Sequence, residues 1–202
     1  MQKILAKFPY LRILPLLIAL PLTFYLWEAG GVDKILGFLH PAEKLQAVHV
    51  GTPAPLFHAP SAETWSGKEF ELSSLKGHAV VIHFWATWCA PCLQELPHLV
   101  NLARAKKEII FLTVAVNDTR ASLEIFFKQH PELQTLATDT LLLIDTEAKI
   151  SSAYGSLQYP ETFLLNGDMM IDNKFIGPQA WTDPAMEPYL RGIATTGAER
   201  AK

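Results

Sequence analysis

Both cysteines of this 202-residue chain fall within Trp88-Cys89-Ala90-Pro91-Cys92. Two thiols separated by two residues can be half of a zinc site, a structural staple, or a dithiol that cycles between reduced and oxidised forms. A zinc ribbon or finger needs a second Cys or His pair at comparable spacing. The seven histidines, at 40, 49, 58, 78, 83, 98 and 130, form no such pair. A staple between Cys89 and Cys92 would close almost no loop and so restrain the unfolded chain very little. The pattern therefore favours the cycling dithiol.

The surroundings position it. The apolar run Ala79-Val80-Val81-Ile82-His83-Phe84-Trp85 leads into the motif as a strand. Pro91 is tolerated near a helix start, where its missing N–H would have no partner anyway. Leu93, Leu96, Leu99, Val100, Leu102 and Ala103 then recur at helical spacing. Cys89 is expected at or just before the first turn, where the positive end of the helix dipole favours a thiolate. Cys92 falls one turn deeper on the same face, placed to attack a mixed disulfide formed at Cys89. Cys89 is the expected nucleophile and Cys92 the resolving thiol.

Downstream, Ile109 to Val116 is a continuous apolar run, the pattern of a strand buried on both faces. Asn117-Asp118-Thr119 caps a predicted helix that ends near His130-Pro131. A third strand is predicted at Leu141–Ile144 and a short helix at Glu147–Tyr154. A hairpin runs from Thr162–Leu165 through Asn166-Gly167-Asp168 to Met169–Phe175, and a helix from Asp183 to Ile193 closes the chain. Strands alternating with helices and finishing in a hairpin predict an α/β domain with a central mixed β-sheet flanked by helices.

The N-terminus supplies a compartment. Lys3, Lys7 and Arg12 precede the uncharged stretch Ile13 to Trp27, which contains Pro15 and Pro21. The stretch is a little short for a bilayer span of about 20 residues and in the range of a secretory-signal core. Lacking a convincing cleavage site, it is expected to be an uncleaved signal anchor over a cleaved signal or a buried apolar helix, and the positive-inside bias leaves the body of the protein on the outer face. The expected placement is a single-pass inner-membrane protein with its catalytic domain in the periplasm. Thiols there are oxidised unless a dedicated partner keeps them reduced. The chain divides as anchor 1–30, linker 31–49, catalytic domain 50–196 and tail 197–202. A net charge of −3 gives no electrostatic reason to expect nucleic-acid binding.

In these residues the chain resembles the thioredoxin superfamily, and within it the membrane-anchored TlpA/ResA/CcmG (DsbE) type of thiol–disulfide oxidoreductase. The matching segments are Gly51 to Phe57, Leu72 to Gly77, Phe84 to Cys92, Glu95-Leu96-Pro97 and Tyr159 to Leu164. The resemblance implies a thioredoxin-like fold and a cis-proline at Pro160 that presents backbone to an extended substrate. It also implies a proton-accepting role for Glu95, one helical turn beyond Cys92, set against the alternative of a solvated helix carboxylate. His83 departs from the Asp or Asn that relatives of this type carry, and is expected either to tune Cys92 or to be a hydrogen-bonded core residue. Tyr159 is bulkier than the small residue usual before the cis-proline. Trp85 is expected in the core and Trp88 at the surface as a platform for the partner. Glu161 is expected either to add negative charge beside the site or to be an exposed strand-edge acid.

The implied partners are protein disulfides, with the cysteine pair of apocytochrome c as a substrate class, and a membrane thiol donor of the DsbD/CcdA type. No cofactor or metal is expected beyond the dithiol itself. Three rival readings remain: a disulfide-forming oxidase, a thiol peroxidase of the same superfamily, and a Cu(I)-carrying chaperone. The last lacks a third soft ligand, since no histidine follows His130.

Overall fold

The computed structural model of the protein describes residues 48–198, with side chains as far as residue 194. The expected anchor, the linker before residue 48 and the tail from residue 199 lie outside the described residues. Among the described residues no helix is long and apolar enough to cross a membrane.

The apolar runs become strands. β1 (His58–Ala59) and β2 (Phe70–Glu71) form a small antiparallel pair. The main sheet is built from β3 (Ala79–Trp85), β4 (Ile109–Val116), β5 (Leu141–Asp145), β6 (Glu161–Leu165) and β7 (Ile171–Ile176), in the order β5-β4-β3-β6-β7. β3, β4 and β5 run parallel, while β6 and β7 pair antiparallel, so the sheet is mixed as expected. Among the described residues five α-helices connect or cover it: α1 (Ala90–Ala105), α2 (Arg120–Gln129), α3 (Leu136–Asp139), α4 (Lys149–Ala153) and α5 (Glu187–Ala198).

β3 is buried at every position, because both faces of the sheet are covered. Side-chain alternation sorts it. Ala79, Val81 and Trp85 pack in one core with Leu96 and Leu99 of α1, Phe126 of α2 and Leu190 and Ile193 of α5. Val80, Ile82 and Phe84 pack in a second core with Ile150, Tyr154 and the N-terminal residues Ala54, Ala59 and Leu72. By this alternation His83 belongs to the face that α1 covers.

Several boundaries differ from the sequence reading. The helix expected over Glu147–Tyr154 shrinks to Lys149–Ala153, because Ala148 takes a left-handed conformation and Asp145 caps the following turn by accepting from the N–H groups of Ile150 and Ser151. The helix expected from Asp183 is divided. Asp183 caps a 3-10 turn over Pro184–Met186, and α5 then runs past Ile193 to Ala198. In the hairpin, Met169 and Met170 belong to the loop, since the Asn166 side chain accepts from the N–H groups of both Asp168 and Met170 and holds a wider turn. α3 has no periodic signal in the sequence.

Candidate active site

Cys89 is the N-cap of α1, extended in backbone, and its Sγ accepts from the Cys92 N–H at 3.3 Å. Cys92 is fully buried one turn further along, and the two sulfurs are bonded to each other. This is the arrangement read from the spacing. Pro97 lies inside α1 and removes one helical hydrogen bond a turn beyond the dithiol.

The loop between β3 and α1 is held from a neighbouring strand. Asn117 ends β4 with a positive φ of 53°, which Asn tolerates better than most residues. The chain turns there, and the buried Asp118 accepts from the Thr87 N–H at 2.8 Å, the Thr87 hydroxyl at 2.7 Å and the Ser122 hydroxyl at 2.9 Å. Asp118 thus fixes the backbone two residues before Cys89, a function the sequence reading assigned only to helix capping. Asp118→Ala should lower stability by about 2–4 kcal/mol, because the Thr87 N–H loses its partner. Urea denaturation tests this, and a loss below about 0.5 kcal/mol would remove Asp118 as the anchor of the loop.

The Tyr159–Pro160 peptide is cis, as the resemblance implied. Glu161 pairs with Phe84 in the sheet, which sets buried Pro160 alongside the end of β3. The Tyr159 hydroxyl reaches Ser151 Oγ at 3.4 Å, and its ring meets Trp88 edge-on with centroids 6.1 Å apart. Trp88 is 63% exposed and Trp85 fully buried. Trp85 is thus in the core and Trp88 at the surface, the placements expected of them.

Three acidic or basic expectations are refined. Glu95 is not a solvated helix carboxylate: it is 3% exposed, with Oε2 accepting from the Gln179 N–H at 2.6 Å and Oε1 3.3 Å from His83 Nε2. Burial pushes its pKa up to about 7, against the opposing pull of the Gln179 N–H and the Trp181 indole. The indole nitrogen lies near the carboxyl group but does not meet hydrogen-bond geometry, so the Gln179 contact is the firmer of the two. His83 is fully buried, its Nδ1 2.9 Å from Thr162 Oγ1, and burial lowers its pKa to about 3. Glu161 is not an exposed strand-edge acid either. It is buried and paired with Lys174 at 2.9 Å, and the ammonium also lies over the Phe163 ring.

The sequence reading missed Gln179 and Trp181. They belong to the connection between β7 and α5, which is tied down where the Gly177 N–H donates to the Pro160 carbonyl at 2.9 Å and where Trp181 packs on Phe175. Neither shows a periodic signal. Among the described residues no cluster of three or more His, Cys, Asp and Glu is placed to hold a metal ion.

A dithiol at a helix N-terminus, with a cis-proline at the start of the neighbouring interior strand of a thioredoxin-like mixed sheet, defines the class as thiol–disulfide exchange proteins. A model of the AhpC/TSA family matches residues 50–174. The thiol–disulfide oxidoreductase ResA of a Bacillus cereus strain is 32% identical over 180 residues, covering 88% of this chain and 96% of the relative. ResA of Bacillus subtilis (strain 168) is 32% identical over 148 residues, covering 73% of this chain and 78% of the relative. Among solved structures, a Chlorobium tepidum protein bearing the name thiol:disulfide interchange protein DsbE superposes with a TM-score of 0.63. It has 21% identity and covers 73% of this chain and 99% of its own, a likeness of fold. The chain belongs to the AhpC/TSA family and is a ResA-like thiol–disulfide oxidoreductase.

Proposed function

We propose that this oxidoreductase works as a reductant on the outer face of the membrane, anchored through residues 1–30. The observation that supports thiol–disulfide exchange here best is the placement of Cys89 Sγ at the helix N-terminus with the Cys92 N–H directed at it, an environment that favours the attacking thiolate, while the reducing direction is assigned by family resemblance. Cys89 attacks a substrate disulfide, a mixed disulfide forms, and one substrate thiolate leaves. The Cys92 thiolate then attacks Cys89 Sγ, which closes the Cys89–Cys92 disulfide and releases the second substrate thiolate. Two electrons pass to the substrate, and a membrane dithiol donor of the DsbD/CcdA type returns them.

In this reading Glu95 exchanges a proton with the Cys92 thiol, for which a carboxyl titrating near neutrality is suited. Pro160 and Tyr159 present backbone and an aromatic edge to the extended substrate, and Trp88 covers it. Glu161 keeps a paired negative charge on the strand behind. The substrate class we assign, by family resemblance, is the cysteine pair of apocytochrome c before haem attachment.

The midpoint potential of the Cys89–Cys92 couple tests the direction of electron flow. Tryptophan fluorescence in graded thiol buffers should give a value near or below about −250 mV. A value near about −120 mV would make the protein a disulfide-forming oxidant and reverse the proposal.

A further inference from the structure

Behind the dithiol helix four polar groups form a buried line from strand to loop. Thr162 Oγ1 of β6 lies 2.9 Å from His83 Nδ1 of β3, His83 Nε2 lies 3.3 Å from Glu95 Oε1 of α1, and Glu95 Oε2 receives the Gln179 N–H at 2.6 Å. Thr162, His83 and Glu95 are each 3% exposed or less. At 3.3 Å His83 Nε2 and Glu95 Oε1 are within reach of each other without meeting hydrogen-bond geometry, neither has a hydrogen bond elsewhere, and the Trp181 indole lies near the same carboxyl.

The remaining neighbours are quiet. β4 presents Thr113 beside His83, with its hydroxyl engaged by Thr140. α5 brings the apolar Leu190 and Ile193 to this face, and α1 adds the Cys92 thiol. The connection after β7 adds the Trp181 indole. The influences on the two titrating groups are burial, the Gln179 N–H and that indole.

We propose that His83 is a positioning residue for Glu95: the two hold a shared proton, and the imidazole reverses its tautomer whenever the carboxyl changes protonation state. The inference rests on Glu95 being the proton partner of Cys92. Because Oε2 is committed as an acceptor to Gln179, the acid proton sits on Oε1 and needs Nε2 as its acceptor, which places the ring proton on Nδ1, donating to Thr162. When the carboxyl is ionised, Nε2–H donates to Oε1 and Nδ1 accepts from the Thr162 hydroxyl, which can serve either way. The pair therefore holds two protons in its acid form, on Oε1 and Nδ1, and one in its base form, on Nε2. The difference of one proton is the one exchanged with the Cys92 sulfur: it leaves or returns to Oε1, and the ring's own proton passes between Nδ1 and Nε2. The ring stays neutral in both forms, consistent with the cost of burying an imidazolium.

The test uses the full chain with its dithiol reduced. Histidine 15N shifts are followed from about pH 5 to 9, and the His83 signals are assigned by their loss in His83→Gln. The expected result is an exchange of the two ring nitrogens between protonated and unprotonated types, with the ring neutral throughout. Its midpoint should match the inflection in the alkylation rate of the dithiol. A ring that keeps one tautomer across the range, or becomes doubly protonated within it, overturns the proposal. In His83→Leu the alkylation inflection should move upward by about one pH unit or more, since the carboxylate loses its donor. His83→Gln, whose amide can donate or accept, should restore most of that shift, and an unmoved inflection in His83→Leu counts against the dyad.

Glu95→Gln separates this inference from the reading it rests on. If the alkylation profile of Glu95→Gln matches that of the wild type while the wild-type ring still reverses its tautomer, the role of Glu95 toward Cys92 fails and the dyad stands. If the inflection disappears in Glu95→Gln while the wild-type tautomer stays fixed, the role of Glu95 stands and the dyad fails.

Discussion

Cys89→Ser should abolish disulfide reduction, with turnover falling on the order of 10^4-fold or more, whereas Cys92→Ala should stop after one event with the substrate covalently attached. The two outcomes follow from where the thiols sit. Cys89 is the N-cap, and serine is among the best residues at that position, so Cys89→Ser keeps the cap and removes only the nucleophile. Its loss of activity is then chemical and not a failure to fold.

Cys92 is fully buried one turn deeper and packs in the core with Leu96 and Leu99. A substrate disulfide arriving at the surface therefore meets Cys89 first. With Cys92 replaced by alanine, the mixed disulfide at Cys89 has no internal thiol to resolve it, and it should accumulate in a one-to-one ratio with enzyme. Mass spectrometry under non-reducing conditions reads it directly. An adduct on Cys92 in the Cys89→Ser variant, or multiple turnovers by Cys92→Ala, would exchange the assigned roles of the two thiols.

The parts of this site that were legible in the sequence are those governed by periodicity. Cys92, Leu96 and Leu99 share one helical stripe, and Glu95 falls inside it at spacings of three and one from its neighbours. That spacing left the proton partner and the solvated carboxylate both open, and the 3% exposure of Glu95 decides between them. Trp85 and Trp88 separate for a similar reason: one closes a buried strand and the other lies in the loop beyond it. His83 stands in a strand whose every neighbour is apolar, so its burial was readable, but its contact with Glu95 required knowing that α1 covers that face.

What could not be read depends on segments without periodicity meeting across the fold. Gln179 reaches Glu95 over a sequence separation of 84 residues, from a loop whose path is set by Gly177 and Trp181 packing and by no repeating pattern. Asp118 looked like a helix cap because it precedes a capping Thr119. The left-handed turn at Asn117 is what directs it back to Thr87. Glu161 could be read as an edge acid or as a charge beside the site because its partner Lys174 lies on the next strand, opposite Phe163 and so diagonal to Glu161. Its own strand is interior, between β3 and β7.

The buried pair also has a signature in folding stability, and its sign can be worked out. The folded state raises the pKa of Glu95 from 4.5 to about 7, so its contribution is fully present below pH 4.5 and is lost as pH rises toward 7. The folded state lowers the pKa of His83 from 6.5 to about 3, so its contribution is present above pH 6.5 and is lost as pH falls toward 3. Between pH 4.5 and 6.5 the two slopes oppose each other at about 1.4 kcal/mol per pH unit each. In that window the unfolded chain holds an ionised carboxylate and an imidazolium, while the folded protein holds a neutral acid and a neutral ring. The proton count is the same, and the pair makes the wild type nearly indifferent to pH. Each single variant should uncover the slope its partner was cancelling. Relative to wild type, Glu95→Gln should gain about 2–3 kcal/mol in unfolding free energy as pH rises from 4.5 to 6.5, and His83→Leu should lose about as much. Exposed pairs such as Glu147–Lys149 and Lys106–Glu187 titrate alike in all three proteins and cancel in the difference. Urea unfolding at pH 4.5, 5.5 and 6.5 measures it. Parallel curves for the three proteins would mean that the two buried groups do not change protonation on folding, and would remove the neutral pair from the site.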